Sequence, residues 1–167
     1  MKYAYSKLLT LMLVVLLSSC TSLFGDDEPE PTLLTVNITT SSKINPSKLS
    51  EGNPVVISFY QLTKVDAFKS AQALDLYQQD SKILAGTLIQ KNTLLSLLPS
   101  KKSSINLTIL PGTKYLAVFA QFSNYSQAKS TSWLDISKID DIKNIEVSLD
   151  SLTINMFLAP KGSFWSW

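Results

Sequence analysis

Few side chains in this chain of 167 residues are suited to catalysis or metal binding. There is no histidine, the commonest general base and metal ligand, and no arginine, which clamps carboxylates and phosphates. The acids leave one enzymatic alternative open, a hydrolase with two carboxylates roughly 5 to 10 Å apart in a cleft. We predict that the protein is not an enzyme and binds no metal or other cofactor.

Cys20, the one cysteine, follows a segment typical of an exported chain. Residues 1–7 carry two lysines and no acid, and residues 8–17 are apolar apart from one threonine, the pattern of a secretory signal peptide. This apolar run is about half of the roughly 20 residues that a membrane-spanning helix needs. Residues 17–20, Leu-Ser-Ser-Cys, resemble the lipobox of bacterial lipoproteins. That resemblance implies a signal peptide over residues 1–19, cleavage before Cys20 and a covalent lipid on its thiol.

The mature chain is expected to begin with a lipidated cysteine and a flexible tether, residues 20–31. This stretch is polar, acidic and twice interrupted by proline, so it cannot bury enough apolar surface to fold. Lipoproteins kept at the inner membrane typically carry aspartate after the cysteine, and Thr21 in that position favours the outer membrane. Removing the signal peptide leaves equal numbers of lysines and acids, so the charge does not indicate nucleic-acid binding.

Beyond the tether, short runs of alternating apolar residues are typical of β-strands. The predicted strands lie at residues 34–38, 55–62, 87–98, 105–109, 115–122, 145–149 and 152–156. The runs at 55–62 and 115–122 are apolar on both faces, which predicts strands that are covered on both sides. The last two runs flank Asp150-Ser151 and predict a closing hairpin, although this turn lacks glycine.

One segment departs from the β pattern. Asp66 is suited to cap a helix that begins near Ala67. The residues spaced to form one stripe of that helix are Phe68, Ala71, Leu74 and Tyr77. With about eight strands and one short helix, the sequence predicts an all-β fold, a two-sheet β-sandwich forming a single domain over residues 32–167.

The longest segment without periodicity between two predicted strands is the loop 41–54. Ile44 and Leu49 are apolar there among polar neighbours, and they either anchor a partner or fold back to close the open end of the sandwich. For Trp133 a core position is favoured over a contact role. The aromatic C-terminal end, residues 164–167, needs cover, and we expect this domain to provide it.

Short motifs spread over the domain point to a known family. They include Ile44-Asn45-Pro46, residues 52–62 (Gly-Asn-Pro-Val-Val-Ile-Ser-Phe-Tyr-Gln-Leu), Asp66-Ala67-Phe68 and the apolar run 115–122. Together they resemble the type VI secretion lipoprotein family TssJ. Ser58 and Leu134 depart from that pattern, since the family often has arginine at these positions.

The resemblance to TssJ implies a transthyretin-like two-sheet sandwich with an added helix. It implies an outer-membrane lipoprotein that faces the periplasm and binds the periplasmic domain of the inner-membrane protein TssM, and through it TssL. The loop between the first two strands is implicated in that contact. The residues predicted to contact TssM are therefore Ile44, Asn45, Pro46, Lys48 and Leu49.

Two other functions remain open from the sequence. One is a generic periplasmic binding module, associated with the envelope or the cell wall and built on the same sandwich. The other is the two-carboxylate hydrolase described above. Neighbouring secretion genes would distinguish the first from a secretion subunit, and a carboxylate pair in a cleft would indicate the second.

Overall fold

The computed structural model of the protein describes residues 30–138 and 144–159. The predictions for the signal peptide, for Cys20, for most of the tether and for residues 164–167 concern parts of the chain outside these ranges. Within the described ranges, no helix combines the length and the apolar character needed to cross a membrane.

Eight β-strands form in the described residues, seven of them at the predicted runs and one, over Thr131–Asp135, where no strand was predicted. They are β1 (Thr32–Thr40), β2 (Val55–Leu62), β3 (Leu88–Leu97), β4 (Lys102–Ile109), β5 (Tyr115–Ala120), β6 (Thr131–Asp135), β7 (Asn144–Asp150) and β8 (Thr153–Leu158). The predicted hairpin of β7 and β8 is confirmed. Its turn places Ser151 in a left-handed conformation with a φ of 50°, where glycine is usual.

The strands form two four-stranded sheets. The first sheet has the order β4-β1-β7-β8 and the second has the order β3-β2-β5-β6. The pairing of β1 with β7 is parallel, and the others within the two sheets are antiparallel. Alternate residues of the strands, such as Leu34, Val36 and Ile38 of β1, belong to the core between the sheets. The predicted two-sheet sandwich is confirmed.

The helical segment consists of two helices where the sequence predicted one. Helix α1 covers Asp66–Ser70 and helix α2 covers Ala73–Ile83, with Ala71 between them in an extended conformation. Because α1 begins at Asp66 itself, the predicted capping role of Asp66 is wrong. The break also turns α2 relative to a continuous helix. Leu76 is therefore buried, whereas Leu74 and Tyr77 of the predicted stripe are exposed.

The helices cover the outer face of the second sheet. A second apolar cluster lies there, built from β2 and β5 and from the helical segment, and includes Tyr60, Leu62, Ala117, Phe119, Phe68, Leu76 and Leu84. The rings of Tyr60 and Phe68 pack with their centroids 5.6 Å apart. This arrangement explains why β2 and β5 are apolar on both faces, since one face meets the other sheet and one meets the helices.

A buried carboxylate ties α2 to the second sheet. Asp80 Oδ2 accepts hydrogen bonds from the Tyr60 hydroxyl (2.8 Å) and from Lys91 Nζ (2.6 Å). Burial opposes ionisation of Asp80, but the hydrogen bonds from Lys91 and Tyr60, with the charge of Lys91, outweigh it and lower the pKa of Asp80. Burial, followed by the interaction with Asp80, raises the pKa of Tyr60. The pair is therefore a carboxylate and a neutral phenol near neutral pH.

Gln61 links the two sheets. Its Nε2 donates a hydrogen bond to the carbonyl oxygen of Thr108 in β4 (2.8 Å), and its Oε1 accepts hydrogen bonds from Leu110 N (2.8 Å) and Thr113 Oγ1 (3.1 Å). Its amide group is therefore paired although the residue is buried. Each residue of the Tyr-Gln-Leu segment thus stabilises the fold. Tyr60 and Leu62 pack against the helices, and Gln61 forms hydrogen bonds to the first sheet.

Candidate functional site

The loop 41–54 lies at the end of the sandwich where β1 ends and β2 begins. The connections 98–101, 121–130 and 151–152 lie at the same end. Ser100 N donates a hydrogen bond to the carbonyl oxygen of Ser41 (3.1 Å), and Asn45 N donates one to that of Ser151 (2.8 Å). Thr32, where the chain enters β1, is at the opposite end of this nine-residue strand. The loop is therefore bound to its neighbours and remote from the start of the domain.

Ile44 closes the open end of the sandwich. Its side chain is 0% exposed and belongs to the core between the sheets. Of the two alternatives for this residue, the one in which it folds back is confirmed. Its prediction as a partner contact is corrected, because a fully buried side chain is not available to another protein.

Asn45 holds the loop together. It is buried and adopts a φ of 48°, a left-handed conformation that asparagine tolerates better than most residues. Its Nδ2 donates to the carbonyl oxygen of Pro54 (2.9 Å), and its Oδ1 accepts from Ser123 N (2.8 Å). Asn53 Nδ2 in turn donates to the carbonyl oxygen of Asn45 (2.8 Å). The prediction that Asn45 contacts a partner is therefore also corrected, since its polar atoms are used within the protein.

Gly52 allows two backbone segments to approach each other closely. A Cβ at this position would lie 2.2 Å from the carbonyl oxygen of Ser42 and 3.2 Å from Pro99 Cγ. The first contact is with the backbone, so no change of side-chain rotamer could relieve it. The glycine of the Gly-Asn-Pro segment is therefore required by the path of the loop.

We predict that Gly52→Ala shifts the loop and destabilises the protein by about 1 to 3 kcal/mol, the usual cost of overpacking. Urea denaturation would measure this change. Gly86→Ala is the matched control, because a Cβ there meets nothing within 4 Å. Equal stability of the two variants would show that the close approach at Gly52 does not constrain the loop.

The tip of the loop is a small hydrogen-bonded turn. Ser47 N donates to the carbonyl oxygen of Ser50 (2.9 Å), and Ser47 Oγ accepts from Leu49 N (3.3 Å) and Ser50 N (3.2 Å). Leu49 is 99% exposed on this turn. Lys48 beside it is exposed, and Pro46 is half-buried. Pro46, Lys48 and Leu49 are therefore the predicted contact residues that a partner can reach, and their role stays a prediction.

The charged side chains around the loop are mainly basic. Lys43 and Lys48 are exposed in the loop and Lys101 is exposed in the adjoining connection, whereas Glu51 is the acid of the loop. This excess of positive charge favours a partner surface with acidic residues, chiefly through orientation and the rate of association.

Trp133 lies on the outer face of the second sheet, and its predicted core position is wrong. It is 38% exposed, its ring packs edge-on against Tyr115 at 6.1 Å, and Lys69 Nζ lies 3.8 Å from the ring centroid. The physical reason is that β6 is the edge strand, and the apolar cluster beneath the helices is built on β2 and β5.

Two features of the described residues bear on metal binding and on the two-carboxylate alternative. Within residues 30–138 and 144–159, no three Asp, Glu, Cys or His side chains are arranged to hold a metal ion. A groove of about 310 Å³ lies beside α2, and its lining is apolar, aromatic or uncharged and polar, without a carboxylate. The two-carboxylate hydrolase therefore gains no support from this cleft.

Fold and loop together define a class of protein, a β-sandwich subunit that presents an ordered loop at one end. Residues 32–152 match the sequence profile of the family described as Type VI secretion lipoprotein, with VasD, EvfM and TssJ among its names. This match covers well over half of the chain, and the protein belongs to this family. It is a type VI secretion lipoprotein, anchored to a membrane of the cell envelope, and a structural subunit and not an enzyme. The predicted resemblance to TssJ is confirmed.

Solved structures share the fold. The T6SS lipoprotein TssJ1 from Pseudomonas aeruginosa matches with a TM-score of 0.69 and 22% identity, covering 78% of this chain and 98% of that one. Serratia marcescens Lip, a membrane-bound component of the type VI secretion system, matches with a TM-score of 0.65 and 14% identity over 78% and 98%. The structure of the T6SS protein TssM C-terminal domain from EAEC matches with a TM-score of 0.63 and 19% identity over 76% and 98%. No curated protein matches the chain significantly in sequence.

Proposed function

We propose that this lipoprotein is the outer-membrane anchoring subunit of the type VI secretion trans-envelope complex and that its loop 41–54 binds the periplasmic domain of TssM. The observation that carries the proposal is Leu49, 99% exposed on a turn held by internal hydrogen bonds. Because hydrogen bonds already hold the backbone of this turn, the backbone loses little conformational freedom on binding, and burial of the apolar side chain contributes net affinity. Membership of the type VI secretion lipoprotein family supports this choice of partner.

The position of the loop suits a subunit that is anchored at one membrane and binds toward the other. The predicted tether precedes Thr32 in the chain, and the loop lies beyond the other end of β1. Nine residues of strand extend about 30 Å at roughly 3.3 Å each. The predicted tether adds at most roughly 35 to 40 Å when extended. With lipid on Cys20 in the outer membrane, the loop would face the periplasm and TssM, and TssL would be joined through TssM.

The test is a titration of the full-length lipidated protein in detergent against the periplasmic domain of TssM from the same organism. We expect saturable binding by the wild type. Leu49→Asp should weaken it by about 30-fold or more, the loss that corresponds to a hot spot of about 2 kcal/mol. Since Leu49 is almost fully exposed, the substitution should leave the fold intact.

Leu33→Asp is the matched control. Leu33 is also an exposed leucine, at 67%, but it lies where the chain enters β1. Its substitution should leave the affinity for TssM unchanged. Binding of Leu49→Asp at wild-type strength would remove the loop tip from the interface, and failure of the folded wild type to bind at high micromolar concentration would remove TssM as the partner.

A further inference from the structure

A groove lies between the first turns of α2 and the chain that follows β5. It encloses about 310 Å³ and is floored by Phe119 and Phe122, which are both buried. Leu74 and Tyr77 of α2 form one wall, and Tyr125 stands on the other. These three side chains are exposed, although each is large and apolar or aromatic. Exposed apolar residues gathered around a concavity indicate a binding surface more strongly than the same residues scattered singly.

The break between the two helices creates one wall of this groove. In a continuous helix, Leu74 and Tyr77 were predicted to share the buried stripe with Phe68. The extended conformation of Ala71 instead directs Leu76 into the cluster beneath the helices and leaves Leu74 and Tyr77 outside it. Leu74 and Tyr77 are therefore exposed because of the break between the two helices.

The groove adjoins the base of the loop 41–54. Ser123, which lines the groove, donates its backbone N–H to Asn45 Oδ1 at 2.8 Å. The same asparagine fixes the base of the loop through Pro54 and Asn53. The hydrogen bonds of Asn45 therefore connect the base of the loop to a residue that lines the groove.

The chemical character of the residues that line the groove limits the kind of group that it can bind. Within residues 30–138 and 144–159, no charged side chain lines the groove. Its volume is at the lower end of the range of small-molecule sites, and it suits one large side chain better than an extended ligand. Among the described residues, strand β8 begins beside Lys129, at the end of the sandwich that carries the loop, and runs away from that end to Leu158.

We propose that this groove is a second contact for the partner bound by the loop 41–54, and that it receives an uncharged aromatic or long aliphatic side chain of that partner. The inference rests on the proposed function, because it assigns the groove and the loop to one interface. Tyrosines at the rim are well suited to such a role, since they contribute large contact area with few rotatable bonds.

The test uses the full-length lipidated protein and the periplasmic domain of TssM. A photo-crosslinking amino acid, p-benzoylphenylalanine, replaces Tyr77 or Tyr125 in separate variants. It replaces Phe157, an exposed aromatic on the first sheet, as the control. We expect crosslinks to TssM from positions 77 and 125 and none from position 157. In parallel, the double variant Leu74→Ala/Tyr77→Ala should weaken TssM binding by about 10-fold or more, while Leu33→Ala/Phe157→Ala should not change it.

The outcomes separate this inference from the proposed function. If Leu49→Asp loses binding while the groove variants bind normally and give no crosslink to TssM, the loop contact stands and the groove contact is overturned. Crosslinks from position 77 to a second copy of the protein or to its own chain would also overturn it. If the wild type does not bind TssM at all, both proposals fail.

Discussion

Replacing Ile44 by aspartate is expected to destabilise the protein severely. Truncating a fully buried isoleucine to alanine costs about 2 to 5 kcal/mol, and aspartate adds the cost of burying a charge without a partner. Ile44 is 0% exposed at the end of the core, where both sheets meet the loop. Natural domains have only about 5 to 15 kcal/mol of stability, so the loss amounts to a large share of the total. Circular dichroism during thermal and urea denaturation would measure it.

The Leu49→Asp variant is the control for Ile44→Asp. Leu49 occupies the same loop and is also aliphatic, but it is almost fully exposed. Surface substitutions of this kind usually change stability by no more than about 0.5 kcal/mol. A stable Ile44→Asp variant would contradict the assignment of this residue to the core. The comparison also decides how binding data are read, since loss of TssM binding by an Ile44 variant would report unfolding and not a lost contact.

Replacing Asp80 by alanine is expected to destabilise the protein by about 2 to 4 kcal/mol. The change removes the acceptor of the buried Tyr60 hydroxyl and the partner of Lys91. Lys91 is partly exposed and can turn to water, but the Tyr60 hydroxyl cannot, so most of the cost arises at the tyrosine. Tyr60→Phe removes one donor and should cost about 1 kcal/mol. In the double variant the two losses should not add, because they include the same hydrogen bond; simple additivity would contradict the coupling.

The contribution of Asp80 should also depend on pH. The pKa of Asp80 in the folded protein lies below its ordinary value of 3.8, so the ionised carboxylate stabilises the fold above that value. This stabilisation is lost as the pH falls through the folded-state pKa. The difference in unfolding free energy between the wild type and Asp80→Asn should therefore be constant from about pH 5 to 8 and shrink below pH 3.8. A difference that persists unchanged to about pH 2 would show that the charge of Asp80 is not responsible.

Local patterns were sufficient for most of the β-sandwich. A period of two in β1 places Leu34, Val36 and Ile38 on one face whatever the rest of the chain does, and those side chains are in the core. Likewise, a strand that is apolar on both faces, such as β2, must be covered on both sides. The helical segment was harder, because its break at Ala71 follows no proline or glycine and depends on what α1 and α2 pack against.

The amino-acid sequence by itself determined the lipoprotein resemblance at Cys20, the all-β class and the loop in which the candidate contacts lie. Each of these depends on residue types and spacings along the chain. Ile44 and Leu49 are both aliphatic and lie in the same polar loop, and only the tertiary structure shows which of them is buried. Ile44 packs between the sheets, whereas Leu49 is exposed to solvent. The groove beside α2 was likewise decided by packing, because its walls come from segments distant in sequence and meet only when the helices cover the second sheet.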